Sequence, residues 1–169
     1  MPPTLSPTSA LTQIPTSTAL LTGDPRTYLP DLSQMPAGYS DASAVLGNID
    51  LSTYGGKGSS VAYGRLPAEY ASFVDIVSAS EAQAKDIYQQ LFARIPDGLP
   101  VARELAGFSE YKVLSGRVGT NPNGYTVFIV YRTLNVAGLI TVGAPGKSEE
   151  VVLQRGLQMA ALIPPRFSK

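Results

Sequence analysis

The chain contains no cysteine and no histidine. Those absences remove Ser-His-Asp and Cys-His catalysis, zinc sites built on thiolate or imidazole, ordinary haem ligation and iron–sulfur clusters. No cofactor is expected. A chain without thiols is at home in an oxidising envelope or outside the cell, although thiol-free domains occur in reducing compartments too. Charge is scarce as well: Asp, Glu, Lys and Arg make up 15% of the 169 residues, thirteen of each sign, for a formal net charge of zero. With no basic run there is no field to gather a polyanion, which argues against nucleic acid and anionic membrane surfaces as partners. No segment approaches the roughly 18 consecutive apolar residues of a membrane span. The first residues also lack the basic and continuous apolar regions of a secretory signal.

What is present falls into three parts. Residues 1–22 are rich in Pro, Ser and Thr, with no charged side chain before Asp24. Such a stretch buries too little apolar surface to offset its ordering entropy, so it reads as a disordered tether. Residues 23–40 are punctuated by proline and carry Tyr28, Leu29, Leu32 and Met35 as apolar points. They read as an extended strap along the domain, with at most one helical turn near Leu32. Residues 41–169 have the composition of a single folded domain with a real core.

That domain contains an internal repeat. At a shift of 68, residues 41–96 lie on residues 109–164 without a gap, with identities that include Tyr63/Tyr131, Val74/Val142, Ser80/Ser148 and Pro96/Pro164. Each half reads as three strands and a helix. Strands are expected at 43–51, 59–65 and 70–78, and again at 110–118, 126–133 and 136–142. The helix at 80–95 shows apolar residues at helical spacing, Ala84, Ile87, Tyr88, Leu91, Phe92 and Ile95, and a second helix is expected at 148–163. Ser80 and Ser148 stand at the N-cap positions. The fold class is α+β: two βββα pseudo-repeats forming an antiparallel sheet, with both helices packed on one face. Period-two alternation puts Val61, Tyr63, Ile129 and Tyr131 under those helices and Phe128, Val130 and Arg132 on the far face.

Motifs that could carry chemistry are few. GAPGKS at residues 143–148 follows a strand and opens a helix, as a phosphate-binding loop does. Thr141 replaces the required first glycine, only 21 residues follow Ser148, and Glu149 and Glu150 stand where phosphate would approach, so Ser148 reads as a helix cap. TYGGKGSS at residues 53–60 reads as a hairpin tip, and its Tyr54 and Lys57 are candidate binding residues. Asp75 interrupts the apolar run FVDIV and is expected to face solvent on an open sheet face. Tyr63 and Tyr131 could line a cleft between the halves, with core packing as the plainer reading. Phe128 and Val130 need a cover, either the strap or another subunit or ligand, and the strap is favoured.

A Ser/Thr/Pro stalk before a small helix-on-sheet module resembles the ectodomains of bacterial surface lipoproteins, though no lipid-carrying cysteine is present. The resulting expectation is a non-catalytic, extracytoplasmic binding or protein-interaction module, in the cell envelope or secreted. Its ligand would be a protein partner or a small apolar or glycan molecule, and a homodimer is conceivable. The alternatives are a hydrolase using carboxylates and tyrosines in a cleft between the halves, and a structural subunit of a larger complex.

Overall fold

The computed structural model describes residues 19–46, 50–95, 98–117 and 124–167, so the expected tether lies outside the described residues up to position 18. At the centre is a seven-stranded antiparallel sheet. In chain order the strands are β1 (Ser40–Asp41), β2 (Lys57–Arg65), β3 (Glu69–Val77), β4 (Leu99–Pro100), β5 (Glu110–Arg117), β6 (Tyr125–Thr133) and β7 (Val136–Gly143), and they lie in the order β1-β2-β3-β7-β6-β5-β4. Among the described residues three α-helices accompany them: α1 (Ser43–Leu46), α2 (Glu81–Ala93) and α3 (Glu149–Ala160). The α+β class and the antiparallel sheet therefore stand, with the helices packed against it.

The strand expected at residues 43–51 is not there. Its start folds as α1, and residues 47–49 lie outside the described part. The cause is local. Ser43 N–H donates to the Asp41 carboxylate at 2.9 Å, Ala42 N–H donates to Ala62 O at 2.9 Å, and the Ser43 hydroxyl bonds both N–H and C=O of Ala62. A serine side chain thus satisfies the edge of β2 where a further strand residue would have done so.

The two helices do not share a face. The Ile87, Tyr88 and Leu91 side chains of α2 pack with Val74, Ile76, Val130 and Ala137, whereas Val152, Leu153 and Met159 of α3 belong to the cluster of Phe73, Val127, Ile129, Ile140 and Val142. Neighbouring residues on a strand point to opposite sides, so these are the two faces of one sheet. The reason lies in the turns. β2 and β3 are joined by residues 66–68, closed by the pair Arg65 and Glu69, while β6 and β7 are joined by only Leu134 and Asn135, closed by Thr133 and Val136. One residue fewer in the second turn flips every side chain of β7 relative to the ungapped shift of 68. Val74 and Val142, identical under that shift, consequently face opposite ways, and the helix following each strand is delivered to a different side.

Each helix has its own anchoring. The Ser80 side chain accepts from Gln83 N–H at 3.1 Å, as an N-cap should, whereas Ser148 makes no side-chain cap bond. α3 comes close to the sheet at Gly156, where a Cβ would stand 2.9 Å from a Val127 methyl.

On the α3 face, the part of the sheet near β2 and β3 is covered by residues 20–39. Two short 3-10 turns, Pro25–Tyr28 and Leu32–Gln34, shape this segment; Asp24 caps the first, and Asp31 with Gln34 forms a capping box around the second. Tyr28, Leu29, Met35 and Tyr39 join the core cluster there, and the Tyr28 ring meets Phe167, beyond α3, at 5.9 Å between centroids.

Candidate functional site

The expected site residues do not converge. Asp75 is fully buried, which corrects the expectation of a solvent-facing carboxylate. Its cross-strand partner is Gly138, whose own partner on the other side is Tyr131. With no side chain at Gly138, the Tyr131 ring lies across β7; a Cβ there would collide with Tyr131 Cζ and stand 2.6 Å from Asp75 Oδ1. The Tyr131 hydroxyl donates to Asp75 Oδ1, Phe108 packs on the tyrosine ring at 4.7 Å, and Asp75 Oδ2 has no hydrogen-bond partner. Burial pushes the Asp75 carboxyl up to about 8, against the Tyr131 hydroxyl bond and the Arg166 charge, which favour the ionised form. Burial, with the Asp75 charge and bond added, holds the Tyr131 phenol well above its ordinary value. Burial thus favours the protonated acid, which is sealed within the core.

Tyr63 and Tyr131 share a sheet face, as expected, but line no common cleft. Tyr63 pairs with Ala71, and its hydroxyl donates to Pro30 O at 2.9 Å beneath the strap. Val130 is covered by α2 and by neither the strap nor a partner, and Phe128 beside it is half-buried. Tyr54 is buried in that same cluster, under the Arg94 guanidinium at 4.7 Å. Arg132 reaches Glu110 at 3.3 Å and Glu81 at 3.9 Å and donates to Leu134 O at 3.4 Å, joining β5, the start of α2 and the β6–β7 turn.

A second buried carboxylate, Glu69, meets Arg65 at 2.5 Å and Arg155 at 3.8 Å. Burial pushes it upward, but these guanidinium groups and Tyr39 outweigh that and hold it below its ordinary value. The neighbouring Tyr39 phenol is pushed up to about 12, first by burial and then by the Glu69 charge. Glu69 ties the end of the first hairpin to α3.

Lys57, one of the expected residues, stands at an open concavity. A cleft of about 480 Å³ lies between residues 20–23, residues 55–57, residues 77–79 and Asn135. Asn135 decides its shape. Although it is the second residue of a two-residue hairpin turn, it is 1% exposed. Its Oδ1 accepts from Leu21 N–H at 2.7 Å, and its Nδ2 donates to Leu21 O at 2.8 Å and to Ser78 O at 2.7 Å. Ser78 answers by donating from its N–H and its hydroxyl to Asn135 O, at 2.9 and 2.8 Å. An asparagine in a short turn reads from sequence as turn chemistry, and its inward side chain leaves no signal in the pattern.

Neither a protein-family model nor a curated protein matches this chain. Among the described residues, no helix is long and apolar enough to cross a membrane, and no group of three or more His, Cys, Asp and Glu could hold a metal ion.

Proposed function

We propose that the chain is a non-catalytic extracytoplasmic binding or protein-interaction module, carried behind an N-terminal Pro/Ser/Thr-rich stretch as an envelope-tethered ectodomain. The observation that carries this reading is the cleft beside residues 20–23. Gly55, Gly56 and Lys57 line it, and a side chain dedicated to main-chain recognition, Asn135, is built into its wall. Such a mixture, largely preformed and with few placed polar groups, is what a ligand site requires. We read the sheet as two diverged copies of one unit, offset by one residue at the second turn. Helix α3 covers one copy on its face while residues 20–39 cover the other, and the cleft lies at the border of that unequal cover.

The full chain, isotopically labelled, would be titrated with a mixed library of ten-residue peptides, with cell-wall glycan oligomers and with phosphatidylcholine vesicles, while sedimentation equilibrium follows self-association. At least one probe should raise the melting midpoint and shift the amides of Leu21, Gly56, Lys57 and Ser78. A monomer that responds to none of them sinks the reading. Protease accessibility of an epitope-tagged copy on intact native cells tests the compartment, and complete protection would oppose an extracytoplasmic site.

A further inference from the structure

We infer that Asn135 and Ser78 form a seat for an extended peptide backbone, that residues 20–23 are its resident and displaceable occupant, and that the cleft takes an extended segment of a partner protein with an apolar side chain where Leu21 now lies. This deepens the binding-module reading and rests on it.

The argument begins with what Asn135 recognises. Its carboxamide meets the N–H and C=O of one residue, Leu21, at 2.7 and 2.8 Å, the paired contact that a neighbouring strand would make. Nothing in that pair depends on the leucine side chain, which packs separately against the core cluster. The third bond, to Ser78 O, fixes which end of the amide is donor and which acceptor, so the seat is organised whether or not Leu21 fills it. The backbone before it is held in an uncommon state. Leu134 has φ +52°, the one non-glycine positive φ among the described residues, at a turn position where hairpins favour glycine. A leucine there is strained, because its Cβ crowds the backbone in this region. Strain beside a preformed main-chain receptor is the pattern of a ligand clamp.

The resident is lightly held. Ala19, Leu20, Thr22 and Gly23 are exposed, Leu20 at 43%, and the next fixed point is Gly23 N–H donating to the Tyr28 hydroxyl at 3.1 Å. Beyond it the cleft continues to residues 55–57, space the resident leaves unused. A tethered occupant acts at an effective concentration of about millimolar, so a competitor must win through added contacts. The unused part of the cleft is where an incoming segment would find them.

The test uses the full chain with Leu21→Pro, which removes the N–H that Asn135 accepts and so vacates the seat. The probe is a fluorescein-labelled peptide with the sequence of residues 16–26, followed by anisotropy, with far-UV circular dichroism to confirm folding. The variant should bind the peptide saturably and at least about tenfold more tightly than the wild type, because the competent state is no longer occupied in cis. A peptide with proline at the Leu21 position should not bind, and adding Asn135→Ala to the variant should abolish binding. A folded variant that takes up neither peptide, or both alike, overturns the inference. If Leu21→Pro does not fold, the wild type decides: excess unlabelled peptide should accelerate hydrogen exchange at the chain's own Leu21 amide, while the proline peptide should not. Unchanged exchange overturns the inference equally. Binding of another probe at residues 55–57 in the same experiments would leave the module reading standing while this one falls.

Discussion

Replacing Asp75 by asparagine should abolish a pH dependence of stability that the wild type carries through neutral pH. A carboxyl pushed up to about 8 in the folded protein, from 3.8 when free, keeps its proton between those values while the unfolded chain has lost it. The native state then binds more protons than the unfolded state, so stability falls as pH rises. The contribution is complete below pH 3.8, declines by about 1.4 kcal/mol per pH unit, and is gone once the folded carboxyl ionises near 8. Between about pH 5 and 8 the loss is about 4 kcal/mol, a large part of the roughly 5–15 kcal/mol that holds an ordinary domain together. The window avoids the acid range, where Glu69, with its depressed value, contributes with the opposite sign. The Asp75→Asn variant keeps an acceptor for the Tyr131 hydroxyl and cannot ionise at this position. Urea unfolding of both proteins, followed by far-UV circular dichroism at half-unit intervals from about pH 5 to 8.5, gives the difference curve. The wild type should start more stable, because the amide adds a buried N–H donor worth about 1–3 kcal/mol when unpaired, and should lose that lead as pH rises. Parallel curves would refute the reasoning and mean that the Asp75 carboxyl ionises in the core without penalty.

Three other outcomes can be stated briefly. Gly138→Ala drives a methyl into the Tyr131 ring and the Asp75 carboxyl, and chemical denaturation should show a loss of about 3 kcal/mol. Ser80→Ala removes a formed cap bond and should cost about 1 kcal/mol, whereas Ser148→Ala should change stability by less than about 0.5 kcal/mol; equal losses would contradict the difference between the two helix starts. Leu134→Gly relieves the positive φ but adds freedom to the unfolded chain, so its stability should hold or rise by up to about 1 kcal/mol, and a clear loss would show that Leu134 is not strained.

The elements themselves were legible because their periods are clean: two for the strands of each hairpin, and about 3.6 for α2 and α3. Their sidedness was not. A single residue between Leu66–Pro67–Ala68 and Leu134–Asn135 inverts β7, and a repeat aligned by identity does not register an inversion that keeps Val74 against Val142. Asp75 was misplaced for a related reason. A carboxylate in an apolar strand reads as outward-facing unless one knows that the residue opposite is a glycine that lets a tyrosine reach across, and Gly138 meets Asp75 only through register. The strand expected at residues 43–51 lost to serine and aspartate bonds made within a few residues and across to Ala62. Asn135 lay beyond reach because its partner, Leu21, is 114 positions away.

That separation also sets the order in which the protein can be assembled. Residues 20–39 are synthesised before the sheet they cover, and although Tyr63 bonds Pro30 O from only 33 positions away, the anchors at the Leu21 and Tyr28 end arrive late: Asn135 holds Leu21, Arg166 donates to Thr27 O at 3.2 Å, and Phe167 packs on Tyr28. Closing contacts across more than about a hundred residues costs chain entropy that only an already folded sheet repays. The locking of this segment at Leu21 and Tyr28 therefore waits until the stretch from Asn135 to Phe167 has emerged from synthesis. Pro25, Pro30 and Pro36 suit that long wait, since a segment that cannot donate at each position is a poor template for pairing with the wrong strand.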